Sequence, residues 1–265
     1  DGGRAASRQI RPLATRSGRH DVIVTAFGIL APGRIRFGRG EATKAPRMIR
    51  DFGARGVVVH GASAARAAPL VDQLRAEGAT VLTFACDREP TIAMLEKALT
   101  TAREFDPHWV TAIGGGAVLD MGKALAAMIP APDGLMDHLE VVGKAMPLTV
   151  APLPFIALPT TAGTGAEATK NAVIGVPDHA RKVSLRDDRM IARLAIVDPA
   201  LTDGCPRNVT LASGLDAITQ VIEPYLAKGY VVLCDRFADS SFAYQRAKGI
   251  ASAKIVEIEK ASIGD

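Results

Sequence analysis

Cysteine is scarce in this 265-residue chain, and the three present (Cys86, Cys205, Cys234) lie too far apart for a zinc or disulfide framework. A reducing compartment is therefore the expected setting. No run of 18 apolar residues occurs, and Pro147, Pro152, Pro154 and Pro159 interrupt the most apolar stretch, which excludes a membrane-spanning helix. Internal repeats and long low-complexity tracts are missing. So is the Gly-x-x-x-x-Gly-Lys-Ser/Thr phosphate loop. What remains is an ordinary globular composition, 48% hydrophobic and 23% charged. The length suits one large domain or two modest ones, either able to bury a sizeable core.

The net charge of +4 is concentrated in a tail. The first twenty residues hold five arginines (Arg4, Arg8, Arg11, Arg16, Arg19) against one acid, Asp1, and the rest of the chain is balanced. The pI of 9.1 thus describes the tail and does not argue for a nucleic-acid-binding face. Rich in Arg, Ala and Ser, the tail has the composition of a transit peptide. The plainer reading is preferred: the chain begins at Asp1 rather than Met, as a fragment or a reading-frame scar does.

Beyond the tail, strands and helices alternate. Val57–Val59 reads as a buried strand. A helix over 63–77 follows, with Leu70, Val71 and Leu74 at helical spacing and a stop at Gly78. Val81–Ala85 reads as a second strand. Pro90 opens a helix to about Arg103, with Thr91 in its first turn. Trp109–Ile113 is a third strand, leading through a glycine triplet into a helix from about Val118 to Met128. This alternation predicts an α/β domain with a parallel sheet. Residues 130–154, with five prolines, read as surface loops. Phe155–Leu158 and Leu194–Val197 read as further strands, and Pro206–Leu211 and Gly214–Leu226 as two helices.

Three motifs carry chemistry. Gly114-Gly115-Gly116, between strand and helix, lets backbone N–H groups approach a pyrophosphate at a helix N-terminus. It matches neither the P-loop nor Gly-x-Gly-x-x-Gly, and by itself serves equally as a tight turn. Pro159-Thr160-Thr161-Ala162-Gly163-Thr164-Gly165 follows a buried strand; its hydroxyls and N–H groups suit phosphate or ribose, although an ordinary Thr/Gly loop has the same composition. In Gly214-Leu215-Asp216-Ala217-Ile218-Thr219-Gln220, Asp216 and Gln220 share a helix face. That is metal-binding spacing, and equally the first turn of a capped amphipathic helix.

In this order and spacing, the three motifs resemble the iron-containing (group III) alcohol dehydrogenase family, from about Phe27 to Leu226. Glu89-Pro90-Thr91, Lys170-Asn171-Ala172-Val173-Ile174 and Ile196-Val197-Asp198-Pro199 agree with it. The resemblance implies a Rossmann-like dinucleotide domain followed by an all-helical metal domain. It implies hydride transfer between a nicotinamide and an alcohol or aldehyde carbon, with a divalent metal (Fe or Zn) as Lewis acid. By resemblance, Gly114, Gly115, Gly116 and Asp120 hold the pyrophosphate, and Thr160, Thr161 and Thr164 line the cofactor cleft. Lys182 lies near the nicotinamide ribose, and Asp216 is the first metal ligand, with Gln220 at the next ligand position.

The chain departs from the family pattern in three places. Gln220 stands where a ligand His is usual; some relatives dispense with metal, so Gln220 bears on the metal and not on the hydride chemistry. After the first strand, His60-Gly61-Ala62-Ser63 holds no acid to contact the adenosine ribose, and Arg66 is near, so Ser63 and Arg66 suit a 2′-phosphate. All five histidines (His20, His60, His108, His138, His179) precede Asp216, whereas the family's remaining His ligands lie downstream.

Residues 229–265 resemble a different family. Val231-Val232-Leu233-Cys234-Asp235-Arg236-Phe237, then Asp239-Ser240 and Ala243-Tyr244-Gln245, are similar to the central segment of thymidylate kinase, where Arg236 would meet a nucleotide phosphate.

The expected organisation is therefore a chimera. A basic, unstructured tail covers 1–26, a dinucleotide-binding domain 27–204, the truncated start of a helical domain 205–228 and a thymidylate-kinase-like fragment 229–265. The expected function is NAD(P)-dependent alcohol/aldehyde oxidoreduction, in a chain expected to be truncated and poorly active. A metal-free reductase resembling maleylacetate reductase, a dTMP-phosphorylating fragment and an inactive cofactor-binding remnant are the alternatives. The cofactor is NAD or NADP and the partner a small alcohol or aldehyde. Neither nucleic acid nor membrane is expected, a homodimer is left open, and the location is cytoplasmic. The patch formed by Leu215, Ile218 and Ile222 is expected to favour association, and the junction at 227–230 to be locally unstable.

Overall fold

The computed structural model describes residues 30–228, with side chains from Gln220 onward excepted. The basic tail, the junction beyond Lys228 and the kinase-like segment therefore lie outside the described residues.

Short β-branched and aliphatic runs form the main sheet: β1 (Ile35–Phe37), β2 (Arg55–His60), β3 (Thr80–Ala85), β4 (Trp109–Gly114), β5 (Phe155–Pro159) and, later in the chain, β8 (Leu194–Val197). All pair in parallel, in the order β1-β8-β5-β4-β2-β3. Alternate residues of the central strands feed two cores. Val57, Val59, Val110, Ala112, Phe155 and Ala157 face one side; Val58, Trp109, Ile156 and Leu158 face the other. Burial on both faces explains why these strands read as continuous apolar runs rather than alternating ones.

Helices α1 (Ala45–Arg50) and α2 (Ala64–Ala76) cover the second face through Ile49, Leu70, Val71 and Leu74. The first face is covered by α3 (Ile92–Phe105), α4 (Gly116–Met128) and the short α5 (Leu135–His138). An antiparallel hairpin, β6 (Asn171–Val176) with β7 (Arg181–Arg186), adds to the first core through Ala172, Ile174, Val183 and Leu185. With this hairpin beside it and the sheet beneath, α4 is buried over ten of its residues, the pattern of a helix that is apolar all round. It also rides close on the sheet: a Cβ on Gly122 would stand 2.7 Å from Ala112 Cβ and 2.8 Å from the Phe155 ring.

The order of connections places a site. The chain leaves β2 in one direction to build β3, then returns across β2 to build β4 and β5. The switch point thus lies between β2 and β4, where parallel sheets hold ligands beyond the carboxyl ends of the strands. The Ser63 segment, the glycine triplet and the Thr loop follow β2, β4 and β5 respectively.

Several sequence expectations change. Thr91 is not in the first turn of α3 but caps it, accepting the Met94 N–H at 3.4 Å. Helix α4 begins at Gly116, two residues before Val118, because Gly115 already serves as its N-cap. Residues 130–154 are not merely surface loops: α5 forms there, and Leu135, His138, Leu139 and Leu148 are buried. The prolines obscure the apolar pattern. Arg103 steadies the start of this segment, its guanidinium donating to Met128 O at 2.8 Å and Ala131 O at 2.9 Å. The two helices expected over 206–226 are one, α6 (Arg207–Lys228); Gly214 weakens a helix interior by about 1 kcal/mol without ending it. β1, α1, β6 and β7 were not anticipated. Leu215 and Ile218 are exposed on α6, at 64% and 54%, as expected.

Asp198, after β8, ties the sheet edge to the start of the first helical segment. Its carboxylate accepts the Ala42 N–H at 2.9 Å and the Ala200 N–H at 2.8 Å. Burial opposes its ionisation, yet the N–H donors of Ala42, Ala200 and Gly40 and the nearby Arg39 hold the carboxyl below the usual range. A depressed folded pKa stabilises fully above the unfolded value of about 4 and ceases to do so as pH falls through the folded value. Asp198→Ala is therefore expected to lower stability at neutral pH by roughly 1–2 kcal/mol. Urea unfolding at a series of pH values should show the gap to the parent chain closing on acidification; a gap that stays constant refutes the assignment.

Candidate functional site

The three glycines do different work. Gly114 closes β4, and a Cβ there would collide with Val118 at 2.5 Å, so local packing alone demands glycine. Gly115 and Gly116 meet no such obstacle: the nearest atoms to a Cβ are the Thr161 and Thr164 side chains, both at 3.5 Å. Gly115 caps α4 through its carbonyl, which accepts the Val118 and Leu119 N–H groups at 3.0 and 3.1 Å, and no side chain caps the helix. The first N–H groups of a helix have no partner within it. The open backbone here presents donors and the positive end of a 13-residue dipole to the cleft.

The Thr loop lies opposite. The Thr160 N–H donates to Gly114 O at 3.0 Å, which fixes the loop beside the triplet. The Thr161 hydroxyl is buried and has no hydrogen-bond partner among the described residues. A buried orphan hydroxyl costs on the order of 1–3 kcal/mol, so its partner belongs to a ligand or an ordered solvent molecule. Thr164 Oγ1 faces the Ala166 N–H at 3.5 Å. Gly163 adopts φ +134°, and a Cβ there would fall 1.9 Å from Ser213 O, so the backbone of α6 rests directly on the loop.

Other expected site residues are placed differently. Asp120 does not offer its carboxylate to the cleft: Oδ1 pairs with Lys123 Nζ at 3.0 Å and Oδ2 accepts the Val173 N–H at 3.2 Å. Burial pushes its carboxyl up, against the pull of Lys123 and the Val173 N–H. Lys182, exposed on β7, is paired with Glu89 at 2.6 Å. This pair stands where the hairpin meets the segment before α3, through the Gly175 N–H to Pro90 O bond of 2.8 Å. Ser63 is the exposed N-cap of α2 and makes no cap bond. Arg66, one turn on, reaches Gly204 O at 3.3 Å.

Asp216 is buried on α6, and Gln220 follows one turn later, its side chain outside the described residues. Among the described residues no group of three or more His, Cys, Asp or Glu could hold a metal. The described histidines are spread out: His60 ends β2, His108 precedes β4, His138 lies in α5 and His179 in the hairpin turn. The α4 terminus thus offers the backbone donors that a phosphate group needs, and among the described residues no set of metal ligands is gathered. Cys86, at the end of β3, is buried with its thiol donating to Arg88 O at 3.0 Å, and burial pushes it up to about 11. It is a thiol of the core, not a nucleophile. Sequence reasoning missed Lys123, whose i, i+3 spacing from Asp120 on an otherwise apolar helix was the available signal.

Comparison with known proteins bears on these observations. The family model described as "Iron-containing alcohol dehydrogenase" matches residues 32–199. A second, "Thymidylate kinase", matches residues 207–264 and so takes in α6 as well as the segment from residue 229. "Probable alcohol dehydrogenase EutG" of Salmonella typhimurium is 37% identical over 177 residues, which cover 66% of this chain and 44% of that protein. The "NAD-dependent methanol dehydrogenase" of Bacillus methanolicus is 30% identical over 208 residues, 76% of this chain and 53% of that protein. The solved structure of sulfoacetaldehyde reductase from Bifidobacterium kashiwanohense in complex with NAD+ superposes with a TM-score of 0.70 at 30% identity, over 80% of this chain and 56% of that one. The chain spans about half the length of the relatives it matches. An all-parallel sheet, a glycine turn and a facing Thr loop at its switch point, and a family match over most of the described residues place this chain in the iron-containing alcohol dehydrogenase family.

Proposed function

We propose that this chain carries the dinucleotide-binding half of an NAD(P)-dependent alcohol/aldehyde oxidoreductase. The observation that carries the proposal is the α4 terminus, which no side chain caps, facing the unpartnered Thr161 hydroxyl across Gly115 and Gly116. Backbone N–H groups at Gly116 and Ala117 would take the pyrophosphate, favoured by the helix dipole. Thr161 and Thr164 would orient the adjoining ribose and nicotinamide from the other wall. A bound nicotinamide would supply the hydride chemistry, and the protein's part is to orient it and exclude water.

Among the described residues no set of His, Cys, Asp or Glu ligands is gathered around Asp216. One feature supports weak or absent turnover in this chain: residues 207–264 match another family. The kinase reading has the weaker support, because the chain contains no phosphate loop.

Thr161→Val tests the site without disturbing its packing. It replaces a buried orphan hydroxyl with a methyl group, so the melting temperature should stay level or rise. Dinucleotide affinity should fall about five- to tenfold, the value of one neutral hydrogen bond. Nicotinamide fluorescence titration reads the second effect; unchanged affinity refutes the site. A parallel spectrophotometric assay with short alcohols and aldehydes should show binding with little or no turnover, and robust turnover would refute the weak-activity reading.

The β2 carboxyl end carries no acid, and Ser63 with Arg66 stands exposed beside it. NADPH is therefore expected to bind at least as tightly as NADH, with Arg66→Ala weakening NADPH selectively. Matched titrations in which NADH binds tenfold tighter would overturn this.

A further inference from the structure

The most deeply buried charge described lies on α4 and is not aimed at the cleft. Lys123 has no exposed side-chain surface. Its ammonium has three donors, and three acceptors receive them: Asp120 Oδ1 at 3.0 Å, Thr169 Oγ1 at 2.9 Å and Asn171 O at 2.5 Å. Each lies on a different piece of chain: α4 itself, the end of the Thr loop and the start of β6. Asp120 completes the set by accepting the Val173 N–H with its other oxygen.

This hub bears on the cleft through the loop it holds. Thr169, which accepts from Lys123, donates its own hydroxyl to Ala166 O at 3.3 Å, at the turn that follows Gly165. At the other end, the Thr160 N–H is bonded to Gly114 O. The loop is therefore clamped on both sides, and the segment between the clamps is the one that stands 3.5 Å from Cβ positions on Gly115 and Gly116. A buried ion pair adds little net stability compared with apolar side chains of similar volume. It does supply directional bonds to several segments at once, which an apolar side chain cannot.

We infer that Lys123, paired with Asp120, is a positioning residue that sets the gap between the Thr loop and the α4 terminus. It would shape the dinucleotide cleft without touching the ligand. The ligand part of this inference rests on the function proposed above; the positioning part does not.

Lys123→Met alone would leave Asp120 buried and unpaired, with the risk of a general failure to fold. The informative variant is the double one, Lys123→Met with Asp120→Asn, which removes both charges and keeps an acceptor for the Val173 N–H. Hydrogen exchange on the ligand-free full chain and dinucleotide titration are measured together. Amides of residues 161–169 should exchange at least tenfold faster while those of β2, β4 and α2 keep their parent rates, and dinucleotide affinity should fall at least tenfold. Lys123→Arg, which restores a charged donor, should recover part of the affinity. Exchange that is unchanged at 161–169, or that rises throughout the sheet, overturns the inference, as does a loosened loop with parent affinity. If the parent chain binds no dinucleotide, the function proposed above fails, and loop-confined exchange still decides the positioning role.

Discussion

The burial of α4 between the sheet and the β6–β7 hairpin is the constraint on which the rest of the molecule depends. A helix covered on nearly every side can carry polar groups only where they find partners inside. It can approach a sheet closely only where a side chain is missing, and Gly122 supplies that gap against Ala112 and Phe155. Its two charged residues pair with each other and then with the hairpin and the loop that adjoin it. Only its N-terminus is left open, and that end emerges at the switch point of the sheet. The same packing that makes α4 the centre of one core thus directs its unsatisfied N–H groups into the cleft.

This arrangement separates two roles that the sequence motif runs together. In Gly114-Gly115-Gly116-Ala117-Val118-Leu119-Asp120, the first glycine answers to Val118 and the next two to the space in front of the helix. Asp120, read as a pyrophosphate residue, is committed to the interior. An anionic carboxylate turned toward a pyrophosphate would oppose the dipole it shares the helix with; turned inward, it neutralises Lys123. The motif therefore marks both the open helix terminus and the framework behind it.

The sequence disclosed the fold where a signal was local. Apolar runs ended by glycine located β2 and β4, runs ended by proline or Asp-Pro located β5 and β8, and helical spacing located α2, α3 and α4. It failed where the stabilising partners are distant. β1 is three exposed residues held by pairing with β8, and no three-residue pattern reveals that. The β6–β7 hairpin turns on Pro177-Asp178-His179 and takes its core contacts from α4, so its amphipathic alternation is hard to tell from loop. The site residues divide in the same way. The glycines and threonines of the candidate cleft are legible as motifs in a row, whereas the Lys123 hub depends on what lies 46 and 48 residues downstream.

Helix α6 poses the sharpest question about the chain's two resemblances, since the thymidylate kinase match begins at its first residue. The contacts of its N-terminal half point the other way. Ser213 O lies where a Cβ on Gly163 would be, a fit that only glycine at positive φ permits, and Gly163 belongs to the Thr loop. Asp216, one turn further on, is buried on the same helix, while Leu215 and Ile218 are exposed. A segment unrelated to the sheet domain would have no reason to meet that loop backbone to backbone. The first turns of α6 therefore pack against the Thr loop. Its exposed Leu215 and Ile218 show where packing against that loop ends.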